Sequence, residues 1–510
     1  LELAQAEVAT GRTEGVKETC LRALELAPGP DGRLDALVMR ARVAFSVNDD
    51  EAPYWTEAVR AAEGSEKLVG VLAEAVITMS KVVGPLAVAP WAARLRALRG
   101  QVPSALRTEV DLAWGSVAAM AGQVEGAEVV RAALGPANLA SVMASASPML
   151  FPRMLNMAID TRNAVGRFDE ADDLVATGWE VAERRGAVMT LTYLALVRAR
   201  GNSWRGRLAE AHKALGELAG IQAAAGLRET KEWWAVHLAT LALEEGDAST
   251  ALSEAGKAEP LVSAQNFGAR GHLWRVQGEL ALDAGHTAEA VRLAREMRDL
   301  HDRLGILEPC WAPWVETAMV AFLRAGLLDE AQALVEHLDM VTEGLPCRWP
   351  RSVAALGRAG LAEAGGALEE AEHHHHQAVH LLDGVGLPLR RARALLIYGR
   401  FLRRNRQPVL ARGPLSEAIE ESEACGGARF AAQARTELRA SGGRRPRQSS
   451  RQLSAQEQSV TALAIDGSTN EEIANQLFIS VKTVERHLTS AYTKLGIRSR
   501  KELQKPLQAH

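Results

Sequence analysis

Apolar residues along the chain recur at helical spacing, and β-branched runs alternating with polar residues are hard to find, so helices are expected throughout. One pattern repeats within them: a glycine, four residues, then an alanine, usually with a glutamate just before it. It occurs at Gly122/Ala127, Gly166/Ala171, Gly206/Ala211, Gly246/Ala251, Gly285/Ala290, Gly326/Ala331 and Gly366/Ala371. The glycines stand 44, 40, 40, 39, 41 and 40 residues apart; a copy without its glycine falls at Arg406/Ala411, and Gly11 is read as opening a degenerate earlier one. Regular spacing of this size predicts a solenoid of helix pairs in which each repeat mainly contacts its neighbours. In LALEEGDASTALSEA, residues 241–255, Leu243 lies on a helix closed by Gly246, and the small Ala251 lets the next, antiparallel helix approach closely.

After residue 452 the pattern shortens into small helices with clear starts. Ser454 with Glu457, Thr469 with Glu472, and Ser499 with Glu502 have the spacing of capping boxes, and Ser480 is placed to cap a longer helix. Val484, Leu488, Ala491 and Leu495 give that helix one buried face, which leaves Lys482, Thr483, Glu485, Arg486 and Thr489 facing outward. A helix, a tight turn and a longer helix with a polar outer face fit the major groove of DNA. Arg498, Arg500 and Lys501 follow where they would suit phosphate.

Charge sharpens this picture. The net charge is −4, but residues 439–510 carry twelve Lys/Arg against six Asp/Glu, so an acidic body of −10 precedes a basic end of +6. The stretch RASGGRRPRQSSRQ, residues 439–452, reads as a flexible linker whose Arg444, Arg445 and Arg447 are offered to the DNA backbone. Three parts are expected: repeats over 1–435, a basic linker over 436–452 and a DNA-binding domain over 453–510. The four cysteines form no C-x-x-C pair, which argues against a disulfide framework or zinc knuckle and for a cytoplasmic protein. The uncharged stretch from Ala132 to Pro152 contains prolines, an asparagine and serines, so it is read as buried helix and loop, and no membrane association is expected.

The segment LSAQEQSVTALAIDGSTNEEIANQLFISVKTVERHLTSAYTKLGIRSRKEL, residues 453–503, resembles the LuxR-type helix-turn-helix family, from its opening leucine through EIA, IS, TV, H and KLG to SR. The resemblance implies four helices with the third in the major groove. It assigns base reading to Glu485, Arg486 and Thr489, and places Lys482, Thr483, His487 and Lys494 near the DNA backbone. Gln456 replaces a common arginine, Glu485 replaces a common lysine, and Pro506 shortens the fourth helix, which weakens the case for dimerisation through it. Turns such as GRFDEA (166–171) and GLLDEA (326–331) resemble those of tetratricopeptide repeats. Together the two resemblances match the C-terminal half of the large ATP-binding LuxR-type regulators. No G-x-x-x-x-G-K-[ST] loop is present, so the chain is read either as lacking a nucleotide-binding part that the longer protein carries or as never having had one, and the start at Leu1 is read as favouring the first.

The expectation is therefore an all-α bacterial transcription regulator, not an enzyme, with no cofactor. Its partners would be double-stranded DNA, RNA polymerase by resemblance, an effector or protein on the concave face of the repeats, and a second copy of the chain if it dimerises. The competing reading is a helical-repeat scaffold with no DNA role, which leaves residues 453–503 unexplained. Neither the run His373, His374, His375 and His376 nor His380 completes a metal site of known type, so a solvated helix face is expected there. The tryptophans are read mainly as packing residues.

Overall fold

The computed structural model describes residue 3 and residues 15–44, 50–225, 231–262, 266–311, 313–343, 347–442, 453, 455–477, 479–495, 497 and 499–503. Among these every regular element is helical. Gly11, Ser454, Arg444, Arg445, Arg447, Arg498 and Pro506 lie outside the described residues.

Each copy of the glycine–alanine pattern is the corner of an antiparallel helix pair. Arg107–Met120 turns at Gly122 into Val124–Ala133, Phe151–Ala164 turns at Gly166 into Phe168–Arg185, and Val188–Trp204 turns at Gly206 into Leu208–Ala225. The series continues with Lys231–Glu244 and Ala248–Ala258, Phe267–Asp283 and Thr287–Leu304, Val315–Ala325 and Leu328–Thr342, Trp349–Ala364 and Leu368–His380, then Pro388–Arg404 and Pro408–Ala424. All eight patterned alanines, from Ala127 to Ala411, are buried at 5% exposure or less, because a larger side chain would hold the paired helices apart. The corner glycines have positive φ; where the glycine is missing, Arg406 adopts φ 61° instead. The final repeat helix, Ala428–Ala440, runs past the boundary expected at 435. The stretch after Leu134 forms helices Leu139–Ser145 and Phe151–Ala164, and no helix among the described residues is long and apolar enough to cross a membrane.

The array departs from the linear solenoid expected from spacing. Its helix pairs wind into a superhelix whose successive turns touch. Leu307 and Glu308 both donate backbone N–H to the carbonyl of Met120, at 3.0 and 3.1 Å. Corner glycines mark the same seam: a side chain at Gly122 would meet Leu307, at Gly166 Cys347, at Gly206 Leu389, and at Gly246 Arg429. These partners lie 185, 181, 183 and 183 residues further on, or about four and a half repeats of forty per superhelical turn. The first helices of the pairs line the superhelix interior, which is filled by the protein's own charged groups. Glu244 accepts from Arg275 and Arg390 at 3.2 and 3.3 Å, and Glu316 accepts from Arg390 at 3.1 Å. Glu279 accepts from Thr317, Arg393 and Arg429 at 2.5, 2.7 and 2.5 Å. Each of these acids and arginines is buried, so the attraction operates with little screening and each needs its partner.

The histidine run is not a uniformly solvated face. His375 is buried against Tyr398 and Phe401, and burial pushes its imidazole down to about 3, while His376 hydrogen-bonds the Tyr398 hydroxyl at 2.8 Å. The tryptophans described in detail serve packing: Trp204 meets Trp349 edge to face, and Trp314 donates to His301 Nδ1 at 3.1 Å.

Candidate nucleic-acid interface

After the repeats, helices Ala455–Ile465, Asn470–Leu477, Val481–Leu495 and Arg500–Leu503 enclose a separate small core of Val460, Ala464, Ile473, Ala474, Val484, Leu488 and Leu503. Local chemistry fixes their ends. Thr469 and Glu472 exchange bonds across the start of the second helix, Thr469 N–H to Glu472 Oε2 at 2.6 Å and Glu472 N–H to Thr469 Oγ1 at 3.2 Å. Ser480 Oγ accepts the Thr483 N–H at 3.1 Å and caps the third. Glu457 turns inward, accepting from Ser490 at 2.6 Å and Lys494 at 2.7 Å, and so ties the first helix to the third.

The buried stripe on the third helix leaves Lys482, Glu485, Arg486 and Thr489 exposed on the opposite side. This is the polar face on which base-reading side chains were expected. The expected backbone contacts are placed less uniformly. Thr483 and His487 are only 5% and 6% exposed, and burial holds the His487 imidazole down to about 4, so it is neutral at pH 7 and offers no cation to phosphate. Lys494 is engaged with Glu457. Arg500 bonds Asn470 Oδ1 at 3.2 Å and the Ala464 carbonyl at 3.1 Å, and also the Ser468 carbonyl, which fastens the last helix to the first two. A sequence stripe shows which side of a helix faces its own core; it does not show which neighbouring groups have claimed the long cations.

A bacterial regulatory protein model, the luxR family, matches residues 451–505. Residues 451–505 are a LuxR-family helix-turn-helix domain. The LuxR-family domain is 51% identical over 51 residues to the oxygen regulatory protein NreC of Staphylococcus aureus in several strains, JH9 and Mu3 among them. That match spans 10% of this chain and 24% of NreC. By shape, the chain is similar to the human IFIT1 dimer with m7Gppp-AAAA, at 13% identity and TM-score 0.40, covering 92% of this chain and 100% of that one. It is also similar to yeast Tom70, at 13% identity and TM-score 0.32, covering 81% and 90% of the two chains. The chain places an array of helix pairs ahead of a LuxR-family helix-turn-helix domain.

The LuxR-family domain does not stand apart from the repeats. Helix Leu208–Ala225 packs on helices Ala455–Ile465 and Asn470–Leu477. Gln456 Nε2 donates to Glu245 Oε1 at 2.5 Å, Arg486 Nη1 donates to the Glu245 carbonyl at 3.1 Å, and Ser480 Oγ donates to Asp247 Oδ2 at 3.3 Å. His212 Nε2 lies 3.0 Å from the same Glu245 oxygen. Burial alone would raise the Glu245 carboxyl, but His212 and the hydrogen bond from Gln456 more than offset it, so the group stays below the ordinary carboxylate range. Sequence reasoning passed over Glu245 and Asp247. The available signals were the two acids flanking Gly246 and the glutamine at a position where this family commonly has arginine.

Proposed function

We propose that this chain is a sequence-specific bacterial transcription regulator that inserts helix Val481–Leu495 into the major groove, while its helical repeats respond to an effector or partner. The observation that carries the reading is the exposed face of that helix, where Lys482, Glu485, Arg486 and Thr489 stand together above a buried apolar stripe. An arginine there can offer a bidentate donor pair to guanine, a glutamate can accept from a cytosine amino group, and a lysine at the first turn suits a phosphate. Engagement of Lys494 and Arg500 within the domain leaves Lys482 as the main described cation for the backbone.

The test is selection of duplexes from a random pool by the full chain, followed by titration of the recovered sequence and of random duplex at several salt concentrations. Arg486→Ala is expected to cost about 1–3 kcal/mol on the selected sequence and to relax preference at one position. Lys482→Ala is expected to weaken both duplexes and flatten the salt dependence. Equal weakening of both duplexes by Arg486→Ala would make that residue a backbone contact. A pool that never enriches would refute sequence-specific binding.

A further inference from the structure

The face that would meet DNA is already partly in use. Around the corner between helices Lys231–Glu244 and Ala248–Ala258, three consecutive residues present a fixed polar edge to the LuxR-family domain. The corner is held by its own bonds: Asp247 N–H to the Ala242 carbonyl at 2.8 Å, and Thr250 N–H to Asp247 Oδ1 at 3.1 Å. Its contacts go to the parts of the domain on which DNA binding depends. Ser480 caps the reading helix, Arg486 is the strongest candidate for guanine, and Gln456 begins the helix that supports both.

We propose that this packing is an autoinhibitory dock, in which the repeat corner Glu245–Asp247 holds the helix-turn-helix in a form that cannot seat on DNA. The proposal rests on the DNA-binding reading above and adds how it is regulated. With Nη1 held by the Glu245 carbonyl, the Arg486 guanidinium is tethered to the repeat corner and cannot swing to a base edge without breaking that bond. A duplex brought to the N-terminal end of the reading helix would also place phosphates beside the carboxylates of Glu245 and Asp247, where like charges oppose approach. Thr483 and His487, which flank Arg486 on the reading helix, are buried in this arrangement.

The contact is built to be released. Its polar part is a few hydrogen bonds around one buried carboxylate, beside the packing of helix Leu208–Ala225, and among the described residues no ion pair between two full charges bridges Glu245 or Asp247 to the domain. Residues 443–452 connect the two parts, and ten residues reach up to about 35 Å when extended, so the domain can leave while the repeats stay folded. The corner also sits on the superhelical seam. Glu244 bonds Arg275 and Arg390 in the interior, its neighbour Glu245 bonds the LuxR-family domain, and Gly246 abuts the backbone of Arg429 from the next turn. Whatever shifts the seam therefore moves the residue that holds the domain, which gives the repeats a physical route to the reading helix.

Two variants of the full chain test this. Glu245→Ala removes the carboxylate shared by Gln456 and His212. Because the apparent affinity of a partly closed protein falls with its open fraction, binding to the selected duplex is expected to tighten about tenfold. In the second, Asp247→Cys with Ser480→Cys is joined by a short bismaleimide whose spacer contains a reducible disulfide, with the wild-type chain treated identically to control for the native cysteines. The cross-linked chain is expected to lose binding to that duplex and to regain it when the spacer is cleaved. Binding by the cross-linked chain equal to that of the cleaved one would overturn the dock while leaving the DNA-binding reading intact. Absence of binding by every form, cleaved and Glu245→Ala included, would overturn the DNA-binding reading and the dock with it.

Discussion

Glu279 offers the sharpest test of how the repeats are held together. Its carboxylate is 1% exposed and accepts from Thr317, Arg393 and Arg429, so it joins the helix Phe267–Asp283 to Ala428–Ala440, 150 residues away. These arginines hold the Glu279 carboxyl well below its ordinary range, although burial alone would raise it. Glu279→Gln keeps the shape but removes the charge, which leaves two buried guanidinium groups sharing too little negative charge. Breaking a buried pair in this way costs about 3–5 kcal/mol, whereas the exposed Arg404–Glu363 pair, lost in Glu363→Ala, should cost less than about 1 kcal/mol. A chain of this length need not unfold in one step, so amide exchange is a better assay than a single melting curve. Glu279→Gln should speed exchange by about a hundredfold to a few thousandfold in both 267–283 and 428–440, since each 1.4 kcal/mol is a factor of ten. Loss of protection in 267–283 with 428–440 unchanged would show that the turns are stacked without coupling, and the seam argument would fail.

Three further outcomes follow from particular residues. Arg406→Gly should raise stability by about 1 kcal/mol, read as a shift in the denaturant midpoint, because it removes a side chain from a left-handed corner that the other copies give to glycine. His375 has a folded value of about 3 against 6.5 when unfolded, so the unfolded chain takes up its proton first and stability falls as pH drops from about 6.5 toward 3. His375→Phe should remove one proton's worth of that slope, about 1.4 kcal/mol per pH unit, from stability measured across the window. Lys494→Ala strands Glu457 and should destabilise the LuxR-family domain by about 2 kcal/mol in exchange or melting measurements; if it only weakened DNA binding in a salt-dependent way, Lys494 would be a phosphate contact after all.

What the sequence revealed was what short-range chemistry decides. The corner glycines and their alanines needed only helix geometry, and Thr469 with Glu472, or the stripe from Val484 to Ala491, needed only neighbours a few residues away. Features created by distant segments were beyond that reading. Nothing in the period of forty reveals that Gly246 will meet Arg429, because superhelix pitch depends on small rotations summed over several repeats. His375 reads as one of four solvated histidines until Phe401 is known to lie against it. The polar side of the third helix was legible, but the claims on Arg486, Lys494 and Arg500 came from partners as far apart as Glu245 and Glu457.

The seam places an evolutionary constraint on this architecture. A repeat array in which units touch only their neighbours can gain or lose a unit by unequal recombination and remain a folded, slightly longer or shorter rod. Here the partners across the seam lie either 181 to 185 or about 219 residues apart, so deleting one internal unit would bring every later residue forward by about forty and mismatch every cross-turn pair that spans the deletion. Copy number in the middle of this chain is thus pinned in the way that strand number is pinned in a closed barrel, and variation in length should be confined to the ends.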